Sequence, residues 1–348
     1  MQALFAQRFG SVPAAVLSVP GRVNLLGEWT DFSGGLVLPM ALPMEVCLAL
    51  APNRHGLDRI ASAQFTGLAE RAIGDGPQGH WSDYVAGALA RARALSWVGE
   101  SGVDVALDST VPHGSGLSTS AAVTVGVLQM IAPERTSPTE IAIEARRVEN
   151  EYIGVPCGIM DQMAVALAAP GHVLALNTAT LDYEDIPLPI GWQVSIVHSG
   201  VSRALADGRY KERRDEILAA AARLGVTALC HGDAAAAEVL PPPLNARARH
   251  VIAEDRRTRA AITALKAGDI EAFALLMRLG HCSISRDLQI TTPEIDAQVA
   301  LMQRHGALAA RQTGGGFGGC IVVLDRAGGD RTWREPLRQT FPESRLIL

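Results

Sequence analysis

A glycine-rich segment, VPHGSGLSTSAA at residues 111–122, carries residue types that bind nucleotide phosphates. Gly114 and Gly116 let the backbone turn sharply and expose its N–H groups. The apolar, proline-free stretch that follows predicts a helix, whose N-terminus would offer N–H donors and a positive dipole end to a phosphate. A hydroxyl at that position can also ligate the Mg²⁺ that accompanies a nucleotide. The alternative is a plain strand-to-helix turn capped by Ser118.

A second cluster of polar residues lies within SVPGRVNLLGEWTDFSGGLVLPMAL, at residues 18–42. Arg22, Asn24, Glu28, Thr30 and Asp31 fall between apolar segments that predict strands. Carboxylates accept paired hydrogen bonds from neighbouring hydroxyl groups, so a charged loop held between strands suits a polyhydroxylated ligand. The alternative is a solvated turn, which is the usual role of a charged cluster.

A single carboxylate, Asp161, lies in the mostly apolar run GIMDQMAV. Such a charge is costly to bury unless it has a partner or a catalytic task. The preceding residues 137–153 predict an amphipathic helix that begins with a capping box at Ser137 and Glu140 and carries Glu149 at the margin of its apolar face. Asp161 is therefore a candidate functional carboxylate, with helix capping as the alternative.

The whole chain predicts two packed domains that position these segments. Its 348 residues exceed what a single core normally holds. Hydrophobic residues make up 48% and charged residues 19%, a composition that excludes a disordered chain. A net charge of −5, without a long basic run, excludes the usual electrostatics of nucleic-acid binding.

Cysteine spacing and hydropathy indicate the compartment. Neither a zinc site nor a disulfide framework is expected, because the cysteines are widely spaced and form no C-x-x-C pair. They are Cys47, Cys157, Cys230, Cys282 and Cys320. Pro13 and Pro20 interrupt the N-terminal apolar residues, and no stretch approaches ~18 apolar residues, so neither a signal peptide nor a membrane span is predicted. We expect a cytoplasmic protein without membrane or nucleic-acid partners, as a monomer, with a larger oligomer left open.

Four segments together resemble the signature motifs of the galactokinases, a branch of the GHMP small-molecule kinases. They are GRVNLLGEWTDFSGG, VPHGSGLSTSAA, ENEYIGVPCGIMDQM and TGGGFGGC, in the order and approximate spacing of that family. The resemblance covers nearly the whole chain. It implies an α+β, two-domain GHMP kinase fold, with a ribosomal-protein-S5-like N-terminal domain at residues 1–178 and a ferredoxin-like C-terminal domain at residues 179–348.

The resemblance also implies an enzyme that transfers the γ-phosphoryl of ATP to the anomeric (C1) hydroxyl of D-galactose, with Mg²⁺. Asp161 would be the catalytic carboxylate and Arg22 its partner, while Ser120 and Glu149 would hold the Mg²⁺ ion. The sugar-binding residues would be Glu28, Trp29, Thr30, Asp31, Gly158 and Tyr210. The ATP-binding residues would be Gly114, Ser115, Gly116, Leu117, Ser118, Thr119 and Ser120, with Trp81 either stacked on the adenine or packed in the core.

Trp29 departs from the family pattern, in which a histidine near the 6-hydroxyl of the sugar occupies this position. Indole is larger and has one donor and no acceptor. It could fill the space of the exocyclic CH₂OH and favour a related sugar such as L-arabinose, D-fucose or galacturonate, or turn away and leave galactose binding intact. A non-catalytic sugar sensor is a further alternative, which the complete phosphate segment disfavours. A mevalonate or homoserine kinase would lack the loop Glu28–Asp31.

Overall fold

The computed structural model describes residues 1–112, 114–202 and 207–348, and its mixture of helices and sheets confirms the α+β class. The strands are β1 (Ala15–Asn24), β2 (Leu36–Val37), β3 (Pro39–Pro52), β4 (Leu57–Ser62), β5 (Leu68–Ala72), β6 (Val103–Ser109), β7 (His172–Asn177), β8 (Tyr183–Pro187), β9 (Trp192–His198), β10 (Ala309–Gln312), β11 (Cys320–Arg326) and β12 (Arg345–Leu346). The helices are α1 (Gln2–Phe9), α2 (Asp83–Ala94), α3 (Thr119–Ile131), α4 (Pro138–Arg147), α5 (Met160–Leu167), α6 (Asp207–Leu224), α7 (Ala234–Glu238), α8 (Leu244–Ala267), α9 (Ile270–Ser283), α10 (Pro293–Arg304) and α11 (Arg334–Thr340).

The chain separates into two compact units, each made of more than one segment. The first consists of Met1–Arg22, Ala41–His113 and Ser118–Pro170, and the second of Val23–Met40, Gly114–Leu117 and Gly171–Leu348. Residues from the N-terminal part of the chain therefore belong to the second unit. The domain boundary near residue 178 stays a prediction.

A sheet in the first unit leads into the predicted phosphate segment. β6 pairs antiparallel with β3 and parallel with β4, and β5 pairs antiparallel with β4. β6 ends at Ser109, and α3 starts at Thr119 and is buried over most of its length. A Cβ built on Gly126 of α3 would lie 2.3 Å from Cδ1 of Leu48 in β3, so a larger residue would displace the Leu48 side chain. The packing of α3 on β3 holds the N-terminus of the helix in place.

The predicted helix over residues 137–153 is confirmed, with a change of geometry near its end. Both hydrogen bonds of the capping box between Ser137 and Glu140 are present at the start of α4. After α4 the helix widens into a π-helical turn, Val148–Ile153, which ends at Gly154 with φ of 81°. Such turns often occur at functional sites. This turn carries Glu149 inward.

The second unit is built on an antiparallel sheet in the order β10–β11–β9–β12. One core cluster packs residues of this sheet, including Val197 and Val323, with α10 and with Trp333. A separate cluster gathers α6, α8 and residues 229–230 around Trp29. A smaller ladder of β2, β7 and β8 follows the loop that contains Trp29. Among the described residues, none of the helices combines the length and the apolar character needed to cross a membrane.

Candidate active site

Asp161 lies in the first turn of α5, and both of its carboxylate oxygens accept hydrogen bonds. Oδ1 accepts from Nε of Arg22 at 2.7 Å and from its Nη2 at 2.5 Å. Oδ2 accepts from Oγ of Ser118 at 2.5 Å. The Arg22 side chain is 5% exposed, whereas that of Asp161 is 31% exposed. The carboxylate is therefore held in a defined orientation and still reaches solvent, as a group that acts on a substrate must.

Ser118 contributes to the site in a way that the sequence did not indicate. It occupies the position before α3 with φ of 63° and makes no side-chain capping hydrogen bond. The alternative prediction of Ser118 as the N-cap is confirmed for its position, but the side chain does not cap the helix, because its hydroxyl donates to Asp161 instead. Capping by Asp161 is also wrong, since Ile159 is the N-cap of α5 and Asp161 lies inside the helix. Ser118, whose backbone is in the left-handed conformation, therefore brings the phosphate segment and Asp161 into contact.

Glu149 and Ser120 form a second group of oxygen atoms in the first unit. Oγ of Ser120 lies 3.5 Å from Oε2 of Glu149, and Nε2 of Gln162 donates to Oε1 at 2.8 Å. Glu149 is buried, and this burial, with the nearby negative charge of Asp161 as the second cause, raises its pKa to about 7. The sequence did not single out Gln162, although it directly follows Asp161.

The donor set at Glu149 suits a hard divalent cation. Carboxylate and hydroxyl oxygens are ligands that Mg²⁺ accepts, usually alongside water and nucleotide phosphates. A buried carboxylate with a raised pKa lacks sufficient nearby positive charge, and a cation would supply it. The described residues contain no group of three or more His, Cys, Asp or Glu side chains placed to bind a metal by themselves. The residues present therefore fit an ion that arrives with a nucleotide.

The predicted ATP-binding segment has the backbone geometry that its glycines allow. Gly114 and Gly116 have φ of 71° and 77°, in the left-handed region. Ser115 and Leu117 are buried, and α3 begins with Thr119 and Ser120. His113 lies outside the described residues. The predicted turn followed by a helix N-terminus is thus confirmed as a local structure.

Trp81 is half-buried and stacks on another aromatic side chain. Its ring lies 5.0 Å from that of Phe65, with an interplanar angle of 4°, and 5.2 Å from the ring of His80. One face of the indole is therefore covered by protein. Stacking of Trp81 on an adenine stays a prediction, and it concerns the opposite face.

The predicted sugar-binding loop belongs to the second unit, and its first polar residues are buried there. Oε2 of Glu28 accepts from Nη2 of Arg311 at 2.5 Å. Oε1 lies 3.2 Å from Oγ1 of Thr313 and 3.3 Å from the backbone N of Gly314. Burial raises the pKa of Glu28, against the opposing effect of the Arg311 charge. The motif TGGGFGGC thus contacts the loop at Glu28.

Trp29 is also buried, and its ring lies beside that of Tyr210. Its ring is 4.6 Å from that of Tyr210 and 5.9 Å from that of Phe32. The indole is 5% exposed, has a backbone φ of 66°, and its Nε1 has no hydrogen-bond partner. Such a donor is costly to bury unless a ligand satisfies it or packing compensates for it.

The other predicted sugar-binding residues occupy different environments. Oγ1 of Thr30 lies 2.9 Å from the carbonyl oxygens of both Gly27 and Leu36, so Thr30 links the two ends of the loop. Asp31 is half-buried. Gly158 is buried just before α5, in the first unit. The structure therefore brings Glu28, Trp29, Thr30, Asp31 and Tyr210 together in one unit, and Gly158 with Asp161 in the other.

Three family signatures match the chain. The galactokinase galactose-binding signature matches residues 3–52, the GHMP kinases N terminal domain matches residues 83–169, and the GHMP kinases C terminal signature matches residues 261–341. A galactokinase from Roseiflexus sp. (strain RS-1) is 36% identical over 355 residues, which cover 98% of this chain and 90% of that protein.

Solved structures show the same relationship. Lactococcus lactis galactokinase complexed with galactose matches with a TM-score of 0.91 at 27% identity, covering 99% of this chain and 96% of that chain. The mevalonate kinase of Methanococcus jannaschii matches with a TM-score of 0.72 at 19% identity, covering 93% and 95% of the two chains. The second match is a likeness of fold alone.

Proposed function

The chain belongs to the galactokinases of the GHMP kinase superfamily, and we propose that it transfers the γ-phosphoryl of ATP to the C1 hydroxyl of D-galactose. It is a kinase, and the reaction forms ADP and galactose 1-phosphate. The observation that carries the proposal on the protein side is the Arg22–Asp161–Ser118 group, a partly exposed carboxylate held by an arginine and by the phosphate segment.

In the proposed reaction Asp161 orients the sugar hydroxyl and accepts its proton late in the transfer. Phosphoryl transfer passes through a loose transition state and asks little of a base before the bond to phosphorus forms. Positioning and electrostatics therefore contribute more than proton abstraction. Arg22 holds the carboxylate and places a positive charge beside the developing negative charge. Ser118 fixes the second carboxylate oxygen.

We further propose that Ser120 and Glu149 hold the Mg²⁺ ion that accompanies ATP. The ion supplies positive charge for the nucleotide phosphates. Gln162 donates to Glu149 and so leaves its Oε2 directed towards Ser120. Gly114–Ser120 would bind the phosphates through backbone N–H groups, and Trp81 would stack on the adenine.

The sugar contacts in this proposal come from Glu28, Trp29, Thr30, Asp31 and Tyr210, with Gly158 next to α5. We propose galactose rather than a pentose because the galactose-binding signature covers this loop and the L. lactis relative was solved with galactose. Neither the alternative sugars nor a sensor role is favoured by a specific observation. We place the enzyme in the cytoplasm as a monomer. The compartment is supported by the five cysteines, which form no disulfide in the described part of the chain.

The test is ADP release by the purified protein with Mg·ATP across D-galactose, L-arabinose, D-fucose, D-galacturonate and D-glucose. Asp161→Ala serves as the blank. We expect the highest kcat/KM with D-galactose. Preference for L-arabinose or D-fucose would overturn the proposed substrate and make Trp29 the residue that selects against a 6-hydroxyl. No turnover on any sugar, with ATP still bound, would overturn the proposed reaction in favour of a sensor.

A further inference from the structure

We propose that Glu254 and Arg311 are positioning residues that hold the galactose-binding loop, defined as residues 27–36, in its binding conformation. The inference rests on the proposed function, because it assigns to these residues an effect on the sugar. Neither residue belongs to a segment whose sequence suggested a role in the reaction. Both act through the loop and not through direct contact with substrate.

Glu254 and Arg311 bind the first two residues of the loop, Gly27 and Glu28. Oε1 of Glu254 accepts from the backbone N–H of Gly27 at 3.0 Å and from Nη1 of Arg311 at 3.1 Å. The other guanidinium nitrogen, Nη2, donates to Glu28 at 2.5 Å. Arg311 thus joins a carboxylate of the loop to a carboxylate of α8. The backbone of Gly27 and the side chain of Glu28 are located by one connected set of bonds.

Neighbouring residues of α8 hold the loop at further points. Nε2 of His250 lies 3.1 Å from the carbonyl oxygen of Glu28, and Oδ1 of Asp255 accepts from the backbone N–H of Leu36 at 2.8 Å. His250 and Glu254 lie on one face of the helix because they are four positions apart, and Asp255 directly follows Glu254. A single rigid helix therefore fixes both ends of the loop.

Burial makes this arrangement sensitive to the loss of any charge. Arg311 and Glu254 are fully buried, and Glu28 is 1% exposed. The Arg311 charge is the main effect that opposes desolvation of Glu254, and it lowers the pKa of that carboxyl far below its usual range. Removing the charge of one member leaves its buried partner with one ion pair fewer, which is unfavourable in a site without water. The loop cannot shift without breaking these pairs.

Two glycines leave space for the Arg311 guanidinium group and for the loop that it holds. A Cβ on Gly280 of α9 would lie 2.7 Å from Nη1 of Arg311, so a larger residue would displace the arginine. At the other side, a Cβ on Gly27 would lie 2.3 Å from the carbonyl oxygen of Leu36, where the two ends of the loop approach. Both glycines provide space for the same set of contacts.

Glu254→Gln is the first test, with Asp58→Asn as its matched control. Asp58 is likewise a buried carboxylate, 4% exposed, and it pairs with Arg93 at 2.7 Å and 2.8 Å and accepts from the N–H of Val103 at 3.0 Å. Asp58 belongs to the first unit and touches no predicted site residue in these contacts. Both variants should lower Tm, whereas only Glu254→Gln should alter the loop.

Steady-state kinetics separates positioning from general loss of stability. Glu254→Gln should raise the KM for D-galactose about tenfold while the KM for ATP and kcat stay within about threefold of the wild type. Asp58→Asn should leave all three constants unchanged at a temperature where it is folded. A purely structural role would lower the active fraction, and therefore the apparent kcat, with an unchanged galactose KM, and this result would overturn the inference. If Glu254→Gln does not fold, Asp255→Asn is measured by the same criteria.

Amide hydrogen exchange gives a readout that does not depend on the substrate. Residues 27–36 should exchange about tenfold faster in Glu254→Gln than in the wild type or in Asp58→Asn, because local opening of the loop becomes easier. Unchanged exchange in these residues would overturn the inference even in an active kinase. A wild-type protein that neither binds nor phosphorylates D-galactose would instead overturn the proposed function, whatever the exchange result.

Discussion

At the scale of single residues, the site depends on side chains that have two bonding partners each. Asp161 binds Arg22 through one oxygen and Ser118 through the other, and Glu149 interacts with Ser120 and Gln162 in the same divided manner. A carboxylate held at both oxygens has little freedom to rotate. Catalysis by positioning requires this restriction, because a misplaced reacting group loses much of its rate advantage.

Asp161→Asn should lower kcat by about a thousandfold while the Kd for Mg·ATP stays within about threefold, because charge and proton acceptor are lost and the shape is kept. The measurements are single-turnover kinetics and ATP titration calorimetry. Asp269→Asn is the control, since Asp269 caps α9 through the N–H of Ala272 and asparagine caps equally well. Equal loss of turnover and of ATP affinity in a folded variant would contradict the assignment of Asp161.

Trp29→Phe tests whether the buried indole only packs against its neighbours or also binds the sugar through its N–H. Phenylalanine keeps most of the apolar contact with Tyr210 and removes an N–H that has no partner, so the free energy of unfolding should change by less than about 1.5 kcal/mol. The order of preference in the sugar panel should stay the same. Trp29→Ala, as the cavity control, should lower the free energy of unfolding by about 3 kcal/mol or more. A changed order of sugars in Trp29→Phe would show instead that the indole N–H contacts substrate.

At the scale of secondary-structure elements, α8 is the helix on which the galactose-binding loop rests. Three of its side chains, those of His250, Glu254 and Asp255, form hydrogen bonds with the loop at three places. The helix is otherwise an ordinary packed element that ends at Gly268 with φ of 67°. Charged side chains on the buried side of a helix are unusual, since the hydrophobic core normally excludes such groups. Here they bind a loop with its own buried charge.

His250 makes the stability of this element depend on pH. Burial lowers its pKa to about 4 from 6.5, so between these values the unfolded chain binds a proton that the folded chain does not. Stability therefore falls as the pH decreases from 6.5 towards 4. His250→Gln, which keeps a donor for the carbonyl of Glu28, should reduce the loss of unfolding free energy between pH 7 and pH 4.5 by about 2–3 kcal/mol.

Urea titrations at the two pH values measure this difference. His55→Gln, at an exposed position, is the control and should leave the pH dependence of the wild type unchanged. A His250→Gln protein whose stability declines with acid as steeply as that of the wild type would contradict the assignment of the buried neutral imidazole.

At the scale of the whole molecule, compact units and chain order do not coincide. The second unit contains Val23–Met40, although the rest of it comes almost wholly from residues after 170. Trp29 joins a core cluster with Ile217, Leu229 and Phe317, and Glu28 neutralises Arg311. A cut at residue 178 would therefore remove part of the core and a buried counter-charge from the C-terminal piece.

A fragment of residues 179–348 should fail to unfold cooperatively, because Arg311 would lose Glu28 and the core cluster would lose Trp29. Circular dichroism during heating measures this property. Adding a peptide of residues 20–42 should restore part of the transition, whereas a scrambled peptide should not. A fragment that melts cooperatively by itself at the temperature of the full chain would contradict the expectation.

The sequence by itself determined the local structures and the family. Glycines at 114 and 116, the capping box at Ser137 and the helix that follows the phosphate segment depend on neighbouring residues, so spacing and residue type predict them. Four motifs in a fixed order were enough to identify the galactokinases, and the comparisons confirm this. The roles of the individual site residues stay predictions.

Only the tertiary structure decided how distant residues combine. Arg22 and Asp161 are 139 positions apart, and Glu28 and Arg311 are 283 positions apart. No periodicity links positions at such separations, because their contact depends on how strands and helices pack. For the same reason Arg311, Glu254 and His250 looked like ordinary helix and strand residues. Burial turned them into the residues that hold the galactose-binding loop, since a charge without water must find a partner.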